Sequence, residues 1–73
     1  MDLAPDFKAQ VDAEVDDLVA DYAPAGDPAE LHKLADETDA SLTTRGAATF
    51  DPPDETFWRA VVAELRRRAI RPV

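Results

Sequence analysis

No cysteine occurs in the 73 residues. That absence removes disulfide frameworks, thiolate zinc sites, iron–sulfur ligation and thiol catalysis together, and it fits a reducing compartment. Glycine occurs only twice, so there is no glycine-rich loop to cradle a phosphate. His32 is the single histidine; it has no second imidazole for a metal set and no nucleophile at a spacing that favours catalysis. Charges interrupt every apolar stretch well before the roughly 20 residues needed to span a bilayer. The opening Met1-Asp2-Leu3-Ala4-Pro5-Asp6 is acidic and lacks the basic n-region of a signal peptide. The expectation is a cytoplasmic protein that is not an enzyme, carries no cofactor or metal, and binds neither membrane nor nucleic acid.

Large apolar side chains are also scarce. Hydrophobic residues make up 45% of the chain, but 14 of them are alanine. Leu, Ile, Val and Phe together number 16, only just above the level at which a highly charged chain stays disordered. A domain of this size buries only roughly 60% of its unfolded surface. Whatever core forms must be small.

Acidic residues are plentiful, with 16 Asp and Glu against 8 Lys and Arg, for a net charge of −8. They are unevenly placed. Residues 1–40 carry twelve acids and two bases, whereas residues 41–73 carry six arginines and four acids. An acidic half of −10 is therefore joined to a basic half of +2. Such a chain is repelled by nucleic acid and by anionic membrane except through a local basic patch.

Apolar periodicity predicts helices. Phe7, Val11, Val15, Leu18, Val19 and Tyr22 form one stripe over residues 5–22, with Pro5 in the first turn. Asp27-Pro28-Ala29-Glu30 has the form of a capped start for a second helix over 28–38. Three acids at Asp36, Glu37 and Asp39 oppose the dipole at its expected end. Thr43-Thr44-Arg45-Gly46 reads as a loop with Gly46 free to take positive φ, and Phe50 as a core residue. Asp51 or Asp54 caps a third helix over 53–69, in which Phe57, Trp58, Val61, Val62 and Leu65 form the apolar stripe. No strand-like alternation occurs. The expected fold is all-α, a single domain built as a three- to four-helix bundle.

Two charge constellations stand out. Asp12 with Asp16, and Asp17 with Asp21, are carboxylate pairs at i,i+4 on the first helix. They read as a solvated face, since no Asp-x-Asp-x-Asp-Gly calcium loop exists. Arg66, Arg67 and Arg68, with Arg71 beyond them, complement the dipole of the third helix. The acidic helix of one molecule matches the basic end of another, or the matching surface of a different partner; between copies such a head-to-tail contact can propagate into rings or filaments. Trp58 either packs beneath the first helix or stays at the rim, available to an interface.

The segment Thr49-Phe50-Asp51-Pro52-Pro53-Asp54-Glu55-Thr56-Phe57-Trp58, continued by the amphipathic run to Leu65, resembles the effector-associated, death-like helical domains of bacterial conflict and immunity systems. In these, a polar proline-containing loop leads into Phe-Trp and then a helix. The resemblance covers residues 10–73. It departs from the family at Ala69, where a glycine is usual, and at Val73, where the family continues through a Leu-rich helix to a Tyr-Pro-x-Asn ending. A final helix is then either absent or supplied by a partner. The resemblance implies an adaptor that recruits an effector through homotypic helical contacts.

The functional expectation is a protein-interaction module acting through charged helical surfaces. Its contact residues are Asp12, Asp16, Asp17 and Asp21 on one side and Arg66, Arg67 and Arg71 on the other, joined by Trp58 if it stays at the rim and not in the core. Alternatives are an acidic inhibitor of a basic target, such as an antitoxin or DNA mimic, and a small accessory subunit of a larger complex.

Overall fold

The computed structural model describes residues 5–70. They form three α-helices and one short 3-10 turn: α1 Pro5–Tyr22, α2 Pro28–Arg45, the turn Ala47–Thr49, and α3 Glu55–Ala69. The described residues contain no strand and no fourth α-helix. The protein is all-α, and no described helix is long and apolar enough to cross a membrane.

α1 forms over the expected range and turns Val11 and Val15 into the core, with Phe7, Leu18 and Val19 packed at its margin. Tyr22 departs from the expected stripe and is 68% exposed. The reason lies in the residue after it. The Ala23 amide still bonds the Val19 carbonyl at 2.8 Å, and Ala23 itself is fully buried. The small residue occupies the space against the core and the phenol is left outside.

α2 starts as expected. The Asp27 carboxylate accepts a hydrogen bond from the Ala29 amide at 3.0 Å, and Pro28 occupies the first helical position. Its end differs. Rather than fading near residue 38, α2 continues to Arg45, so the expected loop at 43–45 is its last turn. Asp36 and Asp39 are in its middle, where Arg66 from α3 lies 3.0 and 3.7 Å from them. Leu42 is buried and anchors the added turn. Gly46 then takes φ +83°, and its amide bonds the Leu42 carbonyl at 2.9 Å. A Cβ at Gly46 would meet nothing within 4 Å, so the demand for glycine there is conformational, not steric.

Asp54 is the cap of α3, accepting from the Phe57 amide at 3.3 Å. This puts the first helical residue at Glu55, two later than expected. Phe57 and Trp58 are adjacent yet both buried, with rings 5.3 Å apart and nearly perpendicular. Phe57 meets Phe7 of α1 edge-on at 6.3 Å, and Trp58 meets Phe50 at 4.9 Å. Both fit because α3 is covered from two sides. It packs on α1 and on α2, which meet each other little. Val61 and Leu65 are fully buried between them.

The radius of gyration is 12.3 Å, against about 11 Å for a compact chain of this length. With extents of 34 × 31 × 18 Å, the molecule is a flattened body with α3 in common.

The shared position of α3 sets a hierarchy of stability. Leu65→Ala should cost about 2–5 kcal/mol, which approaches the whole stability of a domain this small, roughly 4–11 kcal/mol. Leu18→Ala, at the margin, should cost markedly less. Urea unfolding followed by helical circular dichroism tests the ranking, and equal losses would contradict it.

Candidate interaction surface

The last two turns of α3 concentrate the cations. Arg66, Arg67 and Arg68 each project to a different carboxylate set. Arg66 reaches Asp36 and Asp39 of α2. Arg68 reaches back to α1, with Nη1 2.7 Å from Asp16 and Nη2 3.9 Å from Asp12. Arg67 stays on its own helix, donating to both oxygens of Glu64 at 2.9 and 2.6 Å. Arg68 Nε adds a third bond to Glu64 at 2.8 Å. Arg66 and Arg68 therefore clip α3 to both of its neighbours.

Glu64 is the one buried charged residue among those described. Burial alone raises a carboxyl pKa, yet here the outcome is the reverse. The Arg67 hydrogen bonds, aided by those from Arg68, hold its pKa down at about 2. Fork-to-carboxylate geometry of this type is the strong form of the ion pair. Arg68 is in turn shifted upward, chiefly by its bond to Asp16 and then by Glu64.

These contacts bring some of the expected contact residues together and separate others. Asp12 and Asp16 belong to the Arg68 clip, and Lys8 also lies 3.2 Å from Asp12. Asp17 and Asp21 are exposed and take part in no ion pair among the described residues. Arg66 and Arg67 are exposed but already paired within the molecule. Arg71 lies outside the described residues. Trp58 is not at the rim: it is 6% exposed, and its Nε1 donates to the Pro52 carbonyl at 2.7 Å. The loop that precedes α3 covers the indole and satisfies its only polar group.

On the other side of α1 the acids make no ion pairs among the described residues. Glu14 is half-buried, and its pKa is raised by burial first, then by the nearby charges of Asp17 and Asp51. Asp21 follows Asp17 by one turn. Glu30 and Glu37 of α2 are likewise exposed and free of ion pairs among the described residues. Between these two acidic margins runs an open cleft of about 370 Å³, walled by Leu18 and Tyr22 of α1 and by Leu34, Thr38 and Ser41 of α2, with Phe50 and Trp58 beneath. Glu14, Glu37 and Asp51 were not singled out in the sequence as contact residues; the i,i+3 spacing to Asp17 is a local signal for Glu14 alone. The inward pairing of Glu64 was more visible, since Arg67 and Arg68 follow it at i+3 and i+4.

His32 is exposed, and no group of three or more metal-ligating side chains occurs among the described residues. Comparison with protein-family models, with curated proteins and with solved structures finds no match to the chain.

The two perturbed carboxylates predict opposite effects of neutralisation. Glu64 has a lowered folded-state pKa, so it stabilises the fold above its ordinary value of 4.5, and the effect is lost as pH falls toward about 2. Glu14 has a raised one, so its charge destabilises the fold at neutral pH and protonation relieves this as pH falls toward 4.5. At pH 7, Glu64→Gln should lower the thermal midpoint and Glu14→Gln should raise it. Both differences from the parent should shrink in acid, the Glu14 one first. Melting curves between about pH 2 and pH 7 read both signs.

Proposed function

We propose that the chain is a protein-interaction module whose acidic side, formed by α1 and α2, engages a basic surface on a protein partner. The observation that carries this reading is the division of the carboxylates into two sets. One set, including Asp16, Asp36, Asp39 and Glu64, is neutralised internally by the arginines of α3. The other, including Glu14, Asp17, Asp21, Glu37 and Asp51, makes no ion pair among the described residues, and Lys33 is the one base lining the depression beside Glu37. Unneutralised charge of one sign steers association with a complementary partner and rejects nucleic acid.

The adaptor role implied by the family resemblance, recruitment of an effector in bacterial defence, is one form of this activity. Its homotypic, head-to-tail version requires Arg66 and Arg67 to leave their own carboxylates for those of another copy. The inward pairing therefore favours a different, basic partner over self-assembly. An inhibitor that imitates DNA would use the same acidic row on α1 as phosphate surrogates. Docking as an accessory subunit would use the same side against a larger complex.

Affinity capture separates these forms. The immobilised protein should retain partners at about 50 mM salt and release them at about 500 mM. A triple variant, Asp17→Asn with Asp21→Asn and Glu37→Gln, should lose most of that retention. Partners that also bind DNA and are released by added DNA would indicate the mimic. In sedimentation the protein alone should remain monomeric at about 100 μM, well within the range of weak interfaces. Retention that neither salt nor the triple variant changes would refute the acidic surface as the contact.

A further inference from the structure

We infer that the cleft between α1 and α2 seats one amphipathic, basic helix of the partner protein. This inference rests on the acidic-surface reading above and names the occupant of that surface.

The argument begins with the shape. Both walls of the cleft are helices, and α1 and α2 meet each other little because each is held by α3 instead. Ridges of a further helix pack into such a gap in the way that helices pack in any bundle. The described residues offer no strand edge for an extended peptide to join. Leu18, Tyr22 and Phe50 supply most of the cleft's apolar surface, over the largely buried Leu34 and Trp58, and Glu37, Thr38 and Ser41 are the polar residues of the lining. Tyr22, 68% exposed, is a large amphipathic side chain of the kind that anchors interfaces. The Thr38 hydroxyl, at the wall, already donates to the Leu34 carbonyl at 2.8 Å, so an apolar ridge over it leaves that hydroxyl paired.

Charge then selects the occupant. Glu37 lines the cleft itself, and Glu30 joins it in an adjoining depression beside Tyr22, where Lys33 is the one base. On α1, Glu14 and Asp21 lie four residues before and three after Leu18, on the same helical face as that cleft residue. An apolar ridge with Lys or Arg on both flanks meets acids along both margins. A second copy of this chain fits poorly, since it brings a net charge of −8 and its α3 arginines are engaged with their own carboxylates.

The test uses two synthetic peptides of about 20 residues, both of Leu and Lys, with identical composition. In one, leucines fall at i, i+3, i+4 and i+7; in the other their order is scrambled. Binding is followed by the fluorescence of Trp58, the only tryptophan, and by amide and indole NMR shifts. The patterned peptide should bind at least about tenfold tighter than the scrambled one and become helical, shifting Leu18, Tyr22, Leu34 and the Trp58 indole. Tyr22→Ala and Glu37→Gln should each weaken it about three- to tenfold. Ala63→Gln, exposed on α3 and outside the cleft, should leave binding unchanged. Equal affinity for the two peptides, shifts centred on Ala63, or no binding of either peptide would overturn the inference. If captured partners are still released by salt and lost in the triple variant, the acidic-surface reading survives that failure. If capture is also indifferent to charge, both fall together.

Discussion

One helix supplies the surface that both of the others need. With so few large apolar residues, this chain cannot give each pair of helices its own interface. α3 solves the shortage by burying apolar groups on two sides: Phe57 toward Phe7 of α1, Trp58 toward Phe50, and Val61 and Leu65 fully enclosed between. α1 and α2 are consequently tied to α3 and scarcely to each other. The open cleft is the direct geometric result of that economy. A chain richer in leucine would have closed it with α1–α2 contacts of its own.

The same helix organises the charge. Along the sequence, an acidic half precedes a mildly basic one; in space, the basic residues of α3 lie between the two acidic helices. Arg68 reaches across 52 positions to Asp16, and Arg66 across 30 to Asp36. Exposed ion pairs are individually worth little, about 0–1 kcal/mol, so their larger effect is on arrangement. They draw Asp12, Asp16, Asp36 and Asp39 toward α3 and leave Glu14, Asp17, Asp21 and Glu37 with no ion pair among the described residues. The two-ended molecule expected from sequence becomes a two-sided one.

Local signals were legible where their cause was local. The stripe of α1, the Asp27-Pro28 start of α2, the positive φ of Gly46 and the apolar face of α3 depend on neighbours within a turn or two. What escaped depended on distant residues. The end of α2 looked unfavourable because Asp36, Glu37 and Asp39 were weighed without Arg66, and because Leu42 was not recognised as a core residue. Tyr22 matched the apolar period, yet period alone does not say that Ala23 would take the buried place. Trp58 was ambiguous until Phe50 and the Pro52 carbonyl were set around it. At the surface, Asp17 and Asp21 were identifiable as exposed acids. Their distinction from Asp12 and Asp16 was not, because it is made by Arg68, far along the chain.

This partition gives salt two opposing effects on the molecule. Burial first, and then the charges of Asp17 and Asp51, raise the pKa of Glu14, so part of the cost of its charge in the folded state is repulsion. Screening that repulsion favours the fold of a molecule with net charge −8, while screening of the exposed ion pairs opposes it. Attraction to a basic helix is screened by the same ions and weakens. Melting curves recorded at the same salt concentrations separate loss of binding from unfolding. A partner held by the apolar floor of the cleft would show a further division: the salt-sensitive part of its affinity resides in the acidic margins, and the part that persists resides in Leu18, Tyr22, Leu34 and Phe50. The ratio of the two measures how far the cleft, as distinct from the charge around it, recognises its occupant.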